Sequence, residues 1–443
     1  MALSFKGGLH VRDFKGYTNS CEIKPLLPCD MHIFPTEQHI GAPLNVLVNV
    51  GDTVCVGQKL ADAEEYMAVP VHSSVSGTVK KIEKYISPSG NTVTSVFVEN
   101  DKLYTPFKGI KPIKDISALS KREMLWVIRD AGIVGMGGAG FPAHVKLDTD
   151  KKIKFLIING AECEPYITAD HRRMLENTED IIAGIRIVMS ILDLKQAYIG
   201  IETNKRDCIL SFKQLLRYDE SIHIMPLKPK YPQGAEKMLI KAITGKNVPT
   251  GKLPADIGAI VMNIETVYEI SRAFYTGMPL TERIVTVSGD AVNNPSNFLV
   301  PLGVPASFLF DAAGGFSKPP KKIIFGGPMM GNSQYSLDVP ITKTTSAVLA
   351  FSESEQAFYN DMPCIRCGKC VAHCPMGLMP NKLSAFAKAG DTENAEKYNV
   401  LDCMQCGMCS YVCPARKDPL GNIRNIRPVV MKNIRERKEA AKK

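Results

Sequence analysis

The chain has no run of the roughly 18 to 20 apolar residues that a membrane-spanning helix requires. Its best candidate, Ile181 to Leu192, is 12 residues long and carries Arg186. The expectation is a protein that does not cross a membrane by itself, with docking on a membrane complex left open. No secretory leader is expected either, since Met1 to His10 holds Lys6 and no apolar stretch. A reducing compartment is expected, where clustered cysteines are metal ligands before they are disulfides. Tryptophan occurs once, and acidic residues are outnumbered 45 to 54 by Lys and Arg. The apolar share of 45% and the charged share of 22% nevertheless belong to a folded chain, which excludes wholesale disorder. At 443 residues about two to four domains are expected. Basic residues are not interleaved with aromatics, so no nucleic acid is expected as a partner.

Residues 1–110 read as a β-rich, barrel-sandwich-like module. Val46, Val48 and Val50 alternate, Gly51-Asp52 makes a turn, and Val54 and Val56 resume the alternation. The pattern resembles the lipoyl and biotinyl carrier sandwich. Carriers need a lysine at the tip of the central hairpin, and Ala61 to Thr78 contains none. A structural or docking role is the better reading. From 111 to 281 the texture turns α/β. Ser120 to Glu123 fits a capping box, and Phe155 to Ile158, Ala197 to Ile201, Ile222 to Met225 and Ala259 to Met262 alternate with helical stretches. Such alternation predicts a parallel, helix-covered sheet. Residues 282–351 return to β-rich texture, 352–423 are dominated by cysteine, and 424–443 form a basic tail, partly helical and partly disordered.

Eight of the thirteen cysteines fall between Cys364 and Cys413, in two copies of C-x2-C-x2-C-x3-C-P. In this spacing three thiolates on one tight loop reach three irons of a cubane, while the fourth cysteine ligates the other cluster. One cluster is then expected on Cys364, Cys367, Cys370 and Cys413, the other on Cys403, Cys406, Cys409 and Cys374. The alternative is a pair of zinc sites. Zinc ribbons split their ligands into separated C-x2-C knuckles, and three cysteines at consecutive two-residue gaps crowd one tetrahedral ion. Two 4Fe–4S clusters and a one-electron relay are therefore expected. Cys21, Cys29, Cys55, Cys163 and Cys208 lack such spacing and read as small buried hydrophobes.

Gly135, Gly137, Gly138 and Gly140 satisfy G-x-G-x-x-G, the dinucleotide fingerprint. Its context is wrong, because a helix precedes the loop and Phe141-Pro142 follows it. What survives is the physical content: four glycines let backbone N–H groups come close to a phosphate or a flat ring. A tight turn between packed elements is the plain alternative. Glu162 and Glu164 read equally as surface carboxylates, and Asn263 as a helix cap.

Taken in order, GMGGAGFPAHVK (135–146), NGAECEP (159–165), Gly234-Ala-Glu236 and Asn263-Ile-Glu265-Thr266 resemble the FMN- and NADH-binding subunit of respiratory complex I. The resemblance implies FMN held by the glycine loop, Lys146, Asn159, Asn263 and Thr266. It places Glu162, Glu164 and Glu236 near the flavin ring and the nicotinamide nucleotide, and makes Phe141 a stacking candidate for adenine. With the paired cysteine motifs, GGLH (7–10) and QHIGAP (38–43), the whole arrangement resembles the RnfC family of the Rnf electron transport complexes. That resemblance implies a soluble-ligand-binding β-grasp (SLBB) domain at 282–351 and an α-helical two-cluster ferredoxin domain after it.

It further implies a peripheral subunit on the cytoplasmic face of the bacterial cell membrane, a ferredoxin:NAD+ oxidoreductase component. Electrons would pass between ferredoxin-derived carriers and NAD+ through two clusters and FMN, while partner subunits of the Rnf complex move the ion. Two alternatives stand beside it: a related soluble NADH reductase, such as the cobalamin reductase of bacterial microcompartments, and a non-catalytic iron–sulfur scaffold. The tail carries eight basic and two acidic residues, a net +6 of the chain's +9. It is a candidate for anionic lipid or an acidic partner face, with a solvated terminal helix as the plainer reading.

Overall fold

The computed structural model of the chain describes residues 2–26, 29–353 and 362–441. Four units follow one another. In the first, Met31–Pro35, Thr92–Asn100, Gly77–Ile86 and Thr53–Val54 form one antiparallel sheet. Asn45–Val46, Lys59–Asp62 and Val71–His72 form a second. Their inward residues, among them Val54, Leu60, Val79 and Val96, make one buried core, as period-2 patterning requires. Of the alternating valines at 46, 48 and 50, only Val46 lies in a strand.

Between residues 2 and 26 no strand pairs with these two sheets. Leu3 bridges to Leu227, Leu9 bridges to Tyr231, and Ile23–Pro25 pairs in parallel with Ser296–Pro301. The leading segment is thus a strap laid along two other sheets.

The second unit is the expected parallel sheet, in the order Ile222–Leu227, Ala197–Glu202, Phe155–Gly160, Ala259–Asn263. Its entry helix Lys121–Asp130 starts on the predicted capping box, with the Ser120 hydroxyl accepting from Glu123 N–H and the Glu123 carboxylate accepting from Ser120 N–H. Helices Thr178–Ile191 and Ile264–Thr276 cover one face and bury Ile181, Ile185, Val267 and Ile270 against the strands.

The third unit is a six-stranded mixed sheet containing Glu282–Ser288, Ser296–Pro301, Lys322–Phe325, Asn332–Gln334 and Ala347–Phe351, with Ile23–Pro25 at its edge. Helix Ala306–Ala312 packs on its buried face. The second and third units meet across buried charge. Arg173 donates from Nε and Nη2 to both oxygens of Glu265, at 2.7 and 3.0 Å. Glu265 also accepts from Ile284 N–H, at 3.3 Å.

Glu269, one turn further on, is buried with neither carboxylate oxygen hydrogen-bonded, and burial pushes its carboxyl up to about 8. Arg272, 3.8 Å away, only partly offsets this. A carboxyl whose folded pKa exceeds its unfolded value binds a proton on folding. The stability it supplies is complete below 4.5 and is lost as pH rises through about 8. Glu269→Gln is expected to flatten that part of the stability profile, raising stability at pH values above about 8 in urea denaturation.

The fourth unit is α-helical. Gly368 and Gly407, both at positive φ, precede the short helices Lys369–Ala372 and Met408–Tyr411. Each cysteine loop then runs, at equal spacing, into a helix with proline in its first turn, Pro380–Ala389 and Pro419–Ala440. The second of these crosses the 424 boundary and makes the tail helical through Ala440. It is one 22-residue helix whose Ile423, Ile426 and Val430 are core residues of the cluster unit, packed with Leu383 and Ala395. Arg427 turns inward and donates to the carbonyls of Val400, Leu401 and Cys403. Lys442 and Lys443 lie outside the described residues. Among the described residues no helix is long and apolar enough to cross a membrane.

Candidate functional site

In the parallel sheet the chain steps from Phe155–Gly160 outward to Ala197–Glu202 and Ile222–Leu227, then returns to the opposite side with Ala259–Asn263. The order therefore reverses between two neighbouring strands, and such a switch point leaves a crevice beyond their C-terminal ends. Asn159 and Asn263 are register partners at that point. Asn263 caps helix Ile264–Thr276, accepting from Glu265 N–H at 2.9 Å, so the positive end of the helix faces the crevice.

The glycine loop lies over this crevice although it comes before the first strand rather than after it. Met136 N–H donates to Thr266 Oγ1 at 2.9 Å, and a Cβ on Gly137 would stand 3.5 Å from the Asn263 side chain. Gly138, with φ +113°, has nothing within 4 Å of where a Cβ would point, so the backbone there is open to a ligand. Gly140 needs its freedom for another reason: φ is +65° and a Cβ would meet Thr344 at 2.9 Å. Phe141 is half-buried at the loop's end, and its carbonyl accepts from Gly135 N–H. Lys146, on the short helix after the loop, reaches Glu236 at 2.6 Å, and Asn159 Nδ2 donates to Gly234 O at 2.8 Å. The structure thus joins the glycine loop, Lys146, Asn159, Glu236, Asn263 and Thr266 around one crevice.

Glu162 and Glu164 are held by other partners. Glu162 takes φ +45°, and its carboxylate turns under the crevice to accept from Asp170 N–H at 2.6 Å, with the buried Lys15 ammonium 3.7 Å away. Glu164 turns to the far side, where it accepts from Met329 N–H at 3.1 Å and from the Tyr231 hydroxyl at 3.3 Å. Burial raises its carboxyl to about 7. Asp170, which no motif marked, accepts from Asn263 Nδ2 at 2.7 Å and so fixes the amide at the crevice. Burial, with Glu162 and Glu265 nearby, raises Asp170 to about 7 as well.

The fourth cysteine of the first repeat meets three cysteines of the second. One cavity is lined by Cys374, Cys403, Cys406 and Cys409 together, with apolar walls from Leu378, Leu383 and Leu420. Four sulfur donors from two loops in a dry pocket fit an iron–sulfur cubane, and they include the crossed Cys374. Cys364 and Cys367, by contrast, are exposed. The Lys417 ammonium donates to Met362 O, tying the loop after Cys413 to the segment before Cys364. One cluster position is therefore inner and the other outer. The inner one abuts the α/β unit: Tyr231 hydroxyl donates to Cys406 O at 2.7 Å, and Cys163, whose thiol accepts from Gly234 N–H at 3.2 Å, packs in the same apolar group as Cys406.

Family models match along the chain in the same order. Residues 3–103 match the RnfC barrel sandwich hybrid domain, 128–272 the Nuo51 FMN-binding domain, 284–333 the SLBB domain and 356–414 the 4Fe-4S dicluster domain. The RnfC protein of the proton-translocating ferredoxin:NAD(+) oxidoreductase complex of Clostridium ljungdahlii is 44% identical over 88% of this chain and 85% of its own length. The chain belongs to the RnfC family. Its counterpart in the Na(+)-translocating ferredoxin:NAD(+) oxidoreductase complex of Acetobacterium woodii is 41% identical over 89% of both chains. The counterpart in the ion-translocating oxidoreductase complex of Rhodobacter capsulatus is 39% identical over 89% of this chain and 77% of its own. The fold also resembles a chain of NAD+-reducing [NiFe]-hydrogenase in its air-oxidized state, with a TM-score of 0.50 at 16% identity, covering 69% of this chain and 61% of that one. As a member of the RnfC family, the chain carries an FMN-binding domain and a 4Fe–4S dicluster domain, and the other subunits of the complex are its partners. The microcompartment reductase alternative gives way to this.

Proposed function

We propose that this RnfC protein exchanges electrons between NAD(H) at the crevice and a ferredoxin-derived carrier at the outer cluster, on the cytoplasmic face of the membrane, with ion movement left to partner subunits. The observation that carries this reading is the succession of three positions: the switch-point crevice, the inner cysteine cavity that abuts the same α/β unit, and the exposed Cys364 and Cys367. When bound, FMN would accept hydride from the nicotinamide and release single electrons, which matches a two-electron donor to one-electron clusters.

The protein's own part is binding and orientation. The glycine loop backbone and Lys146 would hold the phosphate, while Asn159, Asn263 and Thr266 would fix the ring. Glu236 and Phe141 would face the nicotinamide nucleotide. Glu162 would act from beneath, through Asp170 and Asn263. Cys364, Cys367, Cys370 and Cys413 would hold the outer cluster, and Cys403, Cys406, Cys409 and Cys374 the inner. The exposed basic residues of the last helix, Arg435 and Lys438 among them, would face a partner subunit or anionic headgroups.

The test is to reduce the clusters of the full chain with dithionite under argon and add NAD+. NADH formation with matching cluster reoxidation is expected. Clusters that stay reduced would leave the scaffold alternative standing.

A further inference from the structure

Tyr231 stands where the α/β unit meets the inner cluster, and the sequence motifs do not mark it. It is 1% exposed. Its hydroxyl donates to the carbonyl of the cluster ligand Cys406 at 2.7 Å and stands 3.3 Å from Glu164. One phenolic proton cannot serve two acceptors fully, and the shorter bond is the one to Cys406 O. The backbone of Tyr231 is gripped from the other side. Its N–H donates to Leu9 O at 2.9 Å, and Leu9 N–H donates to its carbonyl at 3.0 Å.

The same strap touches the loop that carries the fourth inner ligand, Cys374. Gly8 N–H donates to His373 O at 2.9 Å, and a Cβ on Gly7 would stand 2.8 Å from Cys374 O. A Cβ on Gly8 would stand 2.4 Å from Tyr231 O. The GGLH motif therefore has a physical reason: only glycine lets the strap lie between Tyr231 and the Cys374 loop. Beyond Tyr231 the segment continues to Gly234, whose carbonyl accepts from Asn159 at the crevice.

We propose that Tyr231, clamped by the Gly7–Leu9 strap and bonded to Cys406 O, is a positioning residue that holds the inner-cluster loop against the α/β unit and so sets how fast electrons cross. This rests on the electron path proposed above. It adds no chemistry, since single electrons cross and Tyr231 gains and loses no atom.

The test uses Tyr231→Phe and Gly8→Ala in the full chain with FMN and clusters in place. Both are expected to keep iron and flavin content and the NADH-driven reduction of ferricyanide, which needs the crevice alone. Reoxidation of dithionite-reduced clusters by NAD+ is expected to slow about tenfold or more, the scale on which misplacing a reacting pair acts. The EPR spectrum of the reduced inner cluster, which needs no nicotinamide, is expected to change in Tyr231→Phe. Unaltered reoxidation rates in both variants, or an unaltered EPR spectrum in Tyr231→Phe, overturn the assignment. Failure of the unaltered chain to react with NAD+ would instead count against the nicotinamide reading, and the EPR comparison would still decide on Tyr231.

Discussion

Cys406→Ser is expected to cut the iron of the chain from about eight atoms to about four, because each cubane motif accounts for four. It is also expected to stop NAD+ from drawing electrons out of the cluster that remains. The reasoning is geometric. Cys406 is buried, lines the cavity shared with Cys374, Cys403 and Cys409, and sits on the side of the domain that faces the crevice. A serine hydroxyl there is a far poorer iron ligand than a thiolate. Without the inner cluster the outer one is left beyond the whole cluster unit. NADH-driven ferricyanide reduction, which uses the crevice only, is expected to persist. Cys364→Ser gives the contrasting pattern: the inner cluster still answers to NAD+, while exchange with an external carrier is lost. Equal behaviour of the two variants would contradict the inner and outer order.

The second large effect concerns stability. Arg173→Ala removes a guanidinium that is 3% exposed, pairs with both oxygens of Glu265, and lies 3.7 Å over the Tyr268 ring. Breaking a buried pair from one side strands the other charge, at about 3–5 kcal/mol. Glu265 has no cheap way out. Its carboxyl is buried, and Arg173 and Arg283 hold it below the usual carboxylate range against that burial. Since Glu265 also receives Ile284 N–H, the loss is expected at the seam between the parallel and six-stranded sheets. Urea denaturation followed by flavin release would read it. Arg173→Met with Glu265→Leu is expected to recover only part of the loss, because Arg283 and Ile284 N–H then lose Glu265 as a partner.

The cysteine repeat was readable because cluster ligation dictates spacing locally. The same left-handed turns recur at Arg366 and Gln405, two residues before each central glycine. The crevice was readable in order because its residues sit at loop, strand and helix ends that sequence patterns mark. The carboxylates between them were not. The left-handed turns at Glu162 and Tyr166 rotate Glu162 under the crevice and Glu164 toward the clusters, and no linear motif carries that rotation. Asp170 escaped notice because its carboxylate reaches the crevice through Asn263, from a position no motif marks.

The last helix was read only in part, for a different reason. Its apolar positions Ile423, Ile426 and Val430 follow helical spacing, but Gly421, Pro428 and the dense charge obscure them. The strap at Gly7 to Leu9 finds its partners in Tyr231 and His373, more than 200 residues away. Pairing at that separation leaves no periodic trace in so short a segment.

The central claim is one flavin above two crossed clusters. The direct measurement is a count of iron, acid-labile sulfide and flavin on protein purified under argon. About eight irons, about eight sulfides and one FMN per chain are expected from two cubane motifs and one flavin crevice. Zinc in place of iron, or iron at about four with flavin present, would contradict it.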